Sequence, residues 1–354
     1  MLEKKITYPQ MGNYSVPIYY LLRHILHIKV IKPNKITAKT IELGSKYSPD
    51  FVCMPFKYTL GTFIEGLDKG ANILLQAGGG CRYGYYSELQ EKIIKNLGYD
   101  FTYINLVSKG KINKLEVYKK IKKIDKKLNI FKCLYYLFIT IKMTKYMDEL
   151  EDYIRMNKAF EENKGEFDKV YNELLSVFGN TTCYTYLFRN YLKYKKIIKN
   201  IKVNKGHNHL KVGLIGELYT LMEPFANYDL ENLLYKHNVE IKRFTNVTYL
   251  LFRKRKAVIN FMKKMKNYFI YRLGADAHDN IYRAKLLCEN DYDGIIHIKS
   301  SFCTPEIGAM PIINKVCKEY NVPIIYFSFD SNTSMVGIET RVEAFIDMLN
   351  MKKS

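Results

Sequence analysis

Apolar residues along this chain follow two alternating rhythms. Runs at 5–8, 27–31, 72–76 and 101–106 are short and bounded by Pro, Gly, Asn or Asp, which predicts buried strands. Between them, 16–26, 36–43, 55–67 and 85–97 space their apolar residues three and four apart, which predicts helices. After a long central stretch the alternation returns. Strands are expected at 211–215, 239–244, 294–298 and 322–329, and helices at 227–237, 253–268, 280–289, 305–320 and 340–351, with a loop at 274–279. Strands that alternate with helices imply parallel sheets covered on both faces. No internal repeat with matching residues links the two halves.

The central stretch changes character. Residues 109–205 carry 23 Lys+Arg against 11 Asp+Glu, and 111–127 and 146–178 mix Lys, Glu and apolar residues at helical spacing. The expected architecture is therefore α/β, with two Rossmann-like doubly wound parallel-sheet domains and a basic helical insert. The boundaries expected are 1–108, 109–205 and 206–354.

Composition narrows the class. Of 354 residues, 47% are hydrophobic and 26% charged, a balance that supports folded domains rather than disorder. The longest apolar run, 133–141, lies between Lys132 and Lys142 and falls well short of the roughly 18 residues a membrane span needs. The first ten residues hold no apolar leader, so a cytoplasmic protein is expected. The net charge of +21 invites a polyanionic partner. Yet Lys outweighs Arg, Trp is absent, and no helix-turn-helix, RNP or zinc-finger pattern occurs, so nucleic acid is not the expected partner.

Seven cysteines in such a chain belong to a reducing compartment, and none forms a Cys-x-x-Cys pair. In open parallel sheets, ligands bind beyond the carboxyl ends of the strands. Cys81 follows the strand at 72–76 through Gly78-Gly79-Gly80, and Cys303 follows the strand at 294–298 through Lys299-Ser300-Ser301-Phe302. Cys53 stands just before a helix that Pro55 starts. These three sit where functional side chains concentrate, although spacing alone leaves shared ligation open. Cys133, Cys183, Cys288 and Cys317 read as buried core thiols.

Three stretches carry a family resemblance. They are Ser48-Pro49-Asp50-Phe51-Val52-Cys53-Met54-Pro55-Phe56-Lys57 with Gly61 and Glu65, then Gly78-Gly79-Gly80-Cys81-Arg82-Tyr83-Gly84-Tyr85-Tyr86, and Asp293-Gly294-Ile295-Ile296-His297 leading to Phe302-Cys303-Thr304-Pro305-Glu306. Val212-Gly213-Leu214-Ile215-Gly216-Glu217-Leu218-Tyr219 and Asp330 with Thr340-Arg341-Val342-Glu343-Ala344-Phe345 add to them. Together they resemble the 2-hydroxyacyl-CoA dehydratase superfamily, and more closely its branch of acyl-CoA dehydratase activase-related proteins. Two positions depart from the family pattern: Gly80 precedes Cys81 where relatives often carry Pro, and Ser331 follows Asp330 where they tend to carry an acid.

The resemblance implies a [4Fe-4S] cluster at the interface of Rossmann-like domains, with Cys53, Cys81 and Cys303 as its ligands. It also implies reductive dehydration of an acyl-CoA-like substrate through a ketyl radical. The electron would come from a separate ATP-dependent activase of actin/Hsp70-like fold, since this chain lacks a G-x-x-x-x-G-K-[ST] phosphate loop. A related dehydratase subunit or a homodimer is the expected assembly. The enzymatic expectation is an iron–sulfur hydro-lyase, and the alternative is a non-catalytic electron-transfer or activase-accessory protein. A double-cubane cluster would need more ligands than three loop cysteines.

Four residues beside these motifs are candidates for further roles. Glu217, just past a strand, suits a general base and equally a helix-end acid. His297 is a catalytic candidate, with a satisfied interior histidine as the plainer account. Lys57 and Arg82 flank proposed ligands, where they could offset cluster charge or bind a phosphate or carboxylate of the substrate. Asp330 ends a strand, from where it caps a turn or reaches the site.

Overall fold

The computed structural model describes residues 3–76, 78, 83–106, 113–269, 271 and 273–353. The chain divides into two compact units, Met1–Lys142 and Met143–Ser354.

The first unit contains β1 (Lys5–Thr7), α1 (Ser15–Ile25), β2 (Lys29–Val30), α2 (Ala38–Tyr47), α3 (Met54–Asp68), β3 (Ile73–Gln76), α4 (Tyr83–Asn96), β4 (Thr102–Asn105) and α5 (Lys114–Ile124). The four strands are parallel in the order β2-β1-β3-β4. Every residue of β3 is buried, as the apolar run required. Ile73 and Leu75 pack with Ile6, Leu22, Ile25 and Leu128 on one face, while Leu74 joins Phe56, Leu60, Phe63 and Ile94 on the other. That division follows from the two-residue period of a strand and from helices covering both faces. Helices α2 and α3 pack at backbone contact. A Cβ on Gly44 would lie 1.9 Å from the Lys57 carbonyl oxygen, and one on Gly61 would lie 2.0 Å from that of Thr40.

Helix α6 (Ile130–Asn157) carries the boundary between the units within its length. The expected helical stretch at 146–178 is broken. After α6 come a 3₁₀ turn at Lys158–Phe160 and then Gly165, whose left-handed conformation at φ 89° forms the N-cap of α7 (Glu166–Gly179). Glu166 and Asp168 favour that start by complementing the helix dipole. Helix α8 (Tyr184–Asn200) follows.

The rest of the second unit runs β5 (Leu210–Gly216), α9 (Leu218–Met222), α10 (Leu230–Lys236), β6 (Val239–Arg243), α11 (Lys254–Lys264), α12 (Ala277–Glu289), β7 (Gly294–Ser300), α13 (Thr304–Glu319), β8 (Ile324–Phe329) and α14 (Met335–Lys353). Its parallel sheet has the order β6-β5-β7-β8, the same arrangement as in the first unit. The two halves thus repeat a topology without repeating a sequence. Val212, Leu214, Ile296, Ile298, Phe327 and Phe329 face one core, and Ile215, Ile295, Ile281, Leu287, Ile313 and Val316 form the other. The loop expected at 274–279 is shorter than predicted, because α12 already starts at Ala277. Among the described residues no helix is long and apolar enough to cross a membrane.

Candidate functional site

In each sheet the chain reverses its direction of growth between the first and third strands, β1 and β3 or β5 and β7. At such a switch point, the carboxyl ends leave a crevice that helices do not cover. In the second unit, Gly216 ends β5 at φ 141°, and a Cβ there would sit 1.8 Å from the Ile298 carbonyl oxygen of β7. The backbones of the two strands meet at this point. The amide of Glu217 donates to that same carbonyl at 2.8 Å.

Glu217 occupies the N-cap of α9. Its Oε1 accepts from the Tyr219 amide at 3.0 Å, and its Oε2 accepts from the Thr220 amide at 2.9 Å and from the Thr220 hydroxyl. The side chain is buried. Burial pushes its pKa up to about 7; the Thr220 and Tyr219 hydrogen bonds oppose the shift, and Asp276 adds to it. A carboxyl group that titrates near neutrality can exchange a proton at its Oε atoms. The same group fixes the first turn of α9, so a helix-capping role is present as well.

His297 lies in β7 with no exposed surface, and its Nε2 is 2.7 Å from Oε2 of Glu306, in the first turn of α13. Asn280 of α12 donates its Nδ2 to both Glu306 oxygens and to the Gly216 carbonyl, the last at 2.9 Å. One buried polar network therefore ties β5, β7, α12 and α13 together behind the switch point. Nδ1 of His297 and Oδ1 of Asn280 are buried there with no hydrogen-bond partner among the described residues.

Cys303 is the N-cap of α13, half-buried, with its amide donating to the Ser300 carbonyl at 3.0 Å and Pro305 in the helix's first turn. A helix N-terminus favours the thiolate. Lys299 is buried at the end of β7; desolvation lowers its pKa, and the charges of Cys303 and Glu306 oppose that shift. Asp330 caps the turn after β8 through Asn332 and Thr333. It also accepts from the Ser301 hydroxyl at 3.1 Å, two residues before Cys303.

In the first unit Cys53 likewise stands at the N-cap of a helix, α3, with Pro55 in the first turn. Its Sγ is within hydrogen-bonding reach of the Tyr86 hydroxyl. Lys57, one turn further on, is buried, as is nearly all of α3. Gln90 of α4 donates to the Phe56 carbonyl and to the Thr59 hydroxyl, and it accepts from Gln76 at the end of β3. Cys81 and Arg82 lie outside the described residues.

The remaining cysteines sort unevenly. Cys288 and Cys317 are buried in the second unit's core. Cys133 packs half-buried against the core of the first unit. Cys183 departs from the core-thiol expectation: it caps α8 at its partly exposed N-terminus and contacts the Thr185 hydroxyl. The Thr181-Thr182-Cys183 run is a helix start, where hydroxyl and thiol side chains compete for backbone groups. Asn280 and Lys299 had no sequence signal as site residues beyond the polar positions they take in otherwise apolar elements.

Within either unit, no three ligating side chains gather among the described residues. Cys53 and Cys303 nonetheless fit a thiolate-ligated cluster in donor chemistry, since each is an accessible thiol at a proline-started helix N-terminus.

A doubly wound parallel sheet, with a buried carboxyl group and a helix-capping thiol at its switch point, defines the chain as an α/β protein with two Rossmann-like units. Residues 275–349, which span α12 to α14 and hold Asn280, His297, Cys303 and Glu306, match the family HGD-D, described as 2-hydroxyglutaryl-CoA dehydratase, D-component. The match places this region in the 2-hydroxyacyl-CoA dehydratase superfamily. No curated protein matches the chain.

Proposed function

We propose that the chain is an iron–sulfur component of 2-hydroxyacyl-CoA dehydratase type, acting in reductive dehydration of an acyl-CoA-like substrate. Cys53, Cys81 and Cys303 hold a [4Fe-4S] cluster, and an ATP-dependent activase supplies the electrons. The observation that carries this reading is Cys303, capping α13 at the switch point inside the family-matched region. When bound, the cluster supplies low-potential single electrons and an iron open to a further ligand. The chain's own residues do the rest. Lys299 sets positive charge near the Cys303 thiol, as Lys57 and Arg82 would beside Cys53 and Cys81 by their places in the sequence, and Glu217 takes or gives a proton at its carboxylate near neutral pH. His297 holds Glu306, and through it the first turn of α13.

A second reading draws on the same geometry. Glu217 is occupied by three hydrogen bonds and His297 is closed off from solvent, an arrangement that also suits a non-catalytic electron carrier. Iron and acid-labile sulfide in anaerobically purified protein test the first step. Paramagnetic resonance after dithionite reduction completes the measurement, with Cys53→Ala, Cys81→Ala and Cys303→Ala beside a Cys133→Ala control. About four irons per chain, lost in the three variants and kept in the control, support the cluster. Iron-free protein after anaerobic reconstitution sinks it. A substrate-dependent change in the spectrum separates enzyme from carrier.

A further inference from the structure

Residues 241–275 contain ten Lys and Arg residues and no acid. This segment runs from β6 through a π-helical turn at Tyr249–Arg253 and α11 to the start of α12. Lys254 is held inside the fold by Asp276, but among the described residues Arg253, Arg255, Lys256, Lys263 and Lys266 meet no acidic side chain. Four successive cations at 253–256 also stand where the π-helical turn runs directly into α11, close enough along one helical run to repel each other. Asp276 and Asp279 offset that repulsion at Lys254 alone; among the described residues no acidic side chain pairs with Arg253, Arg255 or Lys256.

The orientation of α11 narrows what could compensate it. Ala257, Val258 and Phe261 are half-buried toward the protein, with Phe261 stacked on Tyr282 of α12 at 4.1 Å. The outward face carries Arg255, Lys256, Asn260, Lys263 and Lys264 around a single exposed Ile259. A helix that inserts into a membrane surface turns its apolar face outward, and α11 does the reverse. Leu251 and Phe252, 60% and 54% exposed, lie beside the cations in the preceding turn. A charged face with aromatic and aliphatic anchors at its edge fits a protein interface better than a phosphate backbone.

The helix also borders the site. Lys254 contacts Asp276 at the head of α12, and one turn later Asn280 grips Glu306 in the first turn of the Cys303 helix. We propose that the outward face of α11, with Leu251 and Phe252, is the docking surface for a partner protein that presents an acidic face. That this partner donates electrons rests on the function proposed above; the docking itself rests on charge and exposure.

Three exposed cations reversed together make the test: Arg255→Glu, Lys256→Glu and Lys263→Glu. A control variant reverses as many on α8, at Lys193, Lys196 and Lys199, which are exposed and meet no acidic side chain among the described residues. The probe is short fluorescent poly-L-glutamate, read by anisotropy at low salt, with hydrogen-exchange mass spectrometry to locate its footprint. The α11 variant is expected to bind roughly tenfold more weakly, the control within about threefold of the parent, with protection confined to 249–266. Equal weakening in both variants, or protection centred on α8, overturns the proposal. Tighter binding through α11 of coenzyme A, of a random DNA duplex or of phosphatidylserine vesicles overturns it too, and identifies the occupant instead. None of these measurements needs bound iron, so their failure and the failure of the cluster reading are separable.

Discussion

Asn280 donates its Nδ2 to both carboxylate oxygens of Glu306, at 2.9 and 3.0 Å, across the buried join between α12 and α13. Glu306 has no exposed surface, so these bonds and the one from His297 stand in for all the water it would otherwise bind. Gln90 does the corresponding work in the first unit, where it holds the Phe56 carbonyl one turn into the Cys53 helix. Cys53 and Cys303 thus each cap a helix whose first turn is held by a buried carboxamide from the following or preceding helix.

Removal of Asn280 should therefore be felt at Cys303. Asn280→Ala leaves a buried carboxylate short of two bonds, which is expected to destabilise the second unit by about 2–4 kcal/mol in urea unfolding. Glu306→Gln keeps the shape and loses a charge-assisted bond, and should cost less. Unchanged stability in Glu306→Gln together with an unchanged labelling rate at Cys303 would mark the pair as a passive filler. A shifted labelling rate of Cys303 in Glu306→Gln, with stability nearly kept, would show that the network positions the thiol.

Glu217 gives a pH dependence with a definite sign. Its carboxyl group titrates near 4.5 in an unfolded chain and at about 7 in the fold, so the folded state holds the proton more tightly between those values. Its contribution to stability is full below pH 4.5 and is lost as the pH rises through about 7. The shift corresponds to about 3 kcal/mol. Urea unfolding of the parent is expected to weaken from pH 5 to pH 8 more than that of Glu217→Gln, by most of that amount. Parallel curves for the two proteins would refute a raised pKa.

Much of the fold was legible because its strands are buried on both faces and therefore mostly apolar, as in β3 and β7, where Gln76, His297, Lys299 and Ser300 are the polar exceptions. Short elements were not. Helix α9 has five residues and exists because Glu217 caps it, a tertiary event with almost no periodic signal. At the site, Glu217 and Cys303 stand beyond the carboxyl ends of β5 and β7, as their places in the sequence led one to expect. The grip of Asn280 on Glu306 joins residues 26 apart on different helices, and no local pattern announces it. Glu306 itself lies within the quoted motif around Cys303.

Thiol reactivity should separate the cysteines outside the candidate site. Hydrogen bonds from Thr185 and from the Tyr186 amide hold the Cys183 thiol below its ordinary pKa, at an exposed helix end. Cys317 is pushed far up by the hydrogen bond with Cys288 and by burial, and burial also raises Cys133. Because the thiolate is the reactive form, limiting iodoacetamide at pH 7 should alkylate Cys183 at least about tenfold faster than Cys133 or Cys317. Peptide mass spectrometry over a time course reads this directly. Equal rates at Cys183 and Cys133 would show that the α8 N-terminus does not activate its thiol.

Gly216 and Gly337 should respond in opposite directions to the same substitution. At Gly216 a methyl group would meet the Ile298 carbonyl oxygen at 1.8 Å, on backbone held at φ 141°, a region L side chains rarely adopt. Neither strand can retreat easily, because the Glu217 amide bonds that same carbonyl and Asn280 bonds the carbonyl of Gly216 itself. Gly216→Ala is therefore expected to destabilise by more than about 3 kcal/mol, with the loss concentrated at the Glu217 end of the site. Gly337, in the first turn of α14, has open space where its Cβ would go. Gly337→Ala should stabilise by roughly 0.5–1 kcal/mol, through helix propensity and a less flexible unfolded chain. If Gly216→Ala melts like the parent, the close approach of β5 to β7 is wrong, and with it the crevice in which Glu217 and Cys303 have been placed.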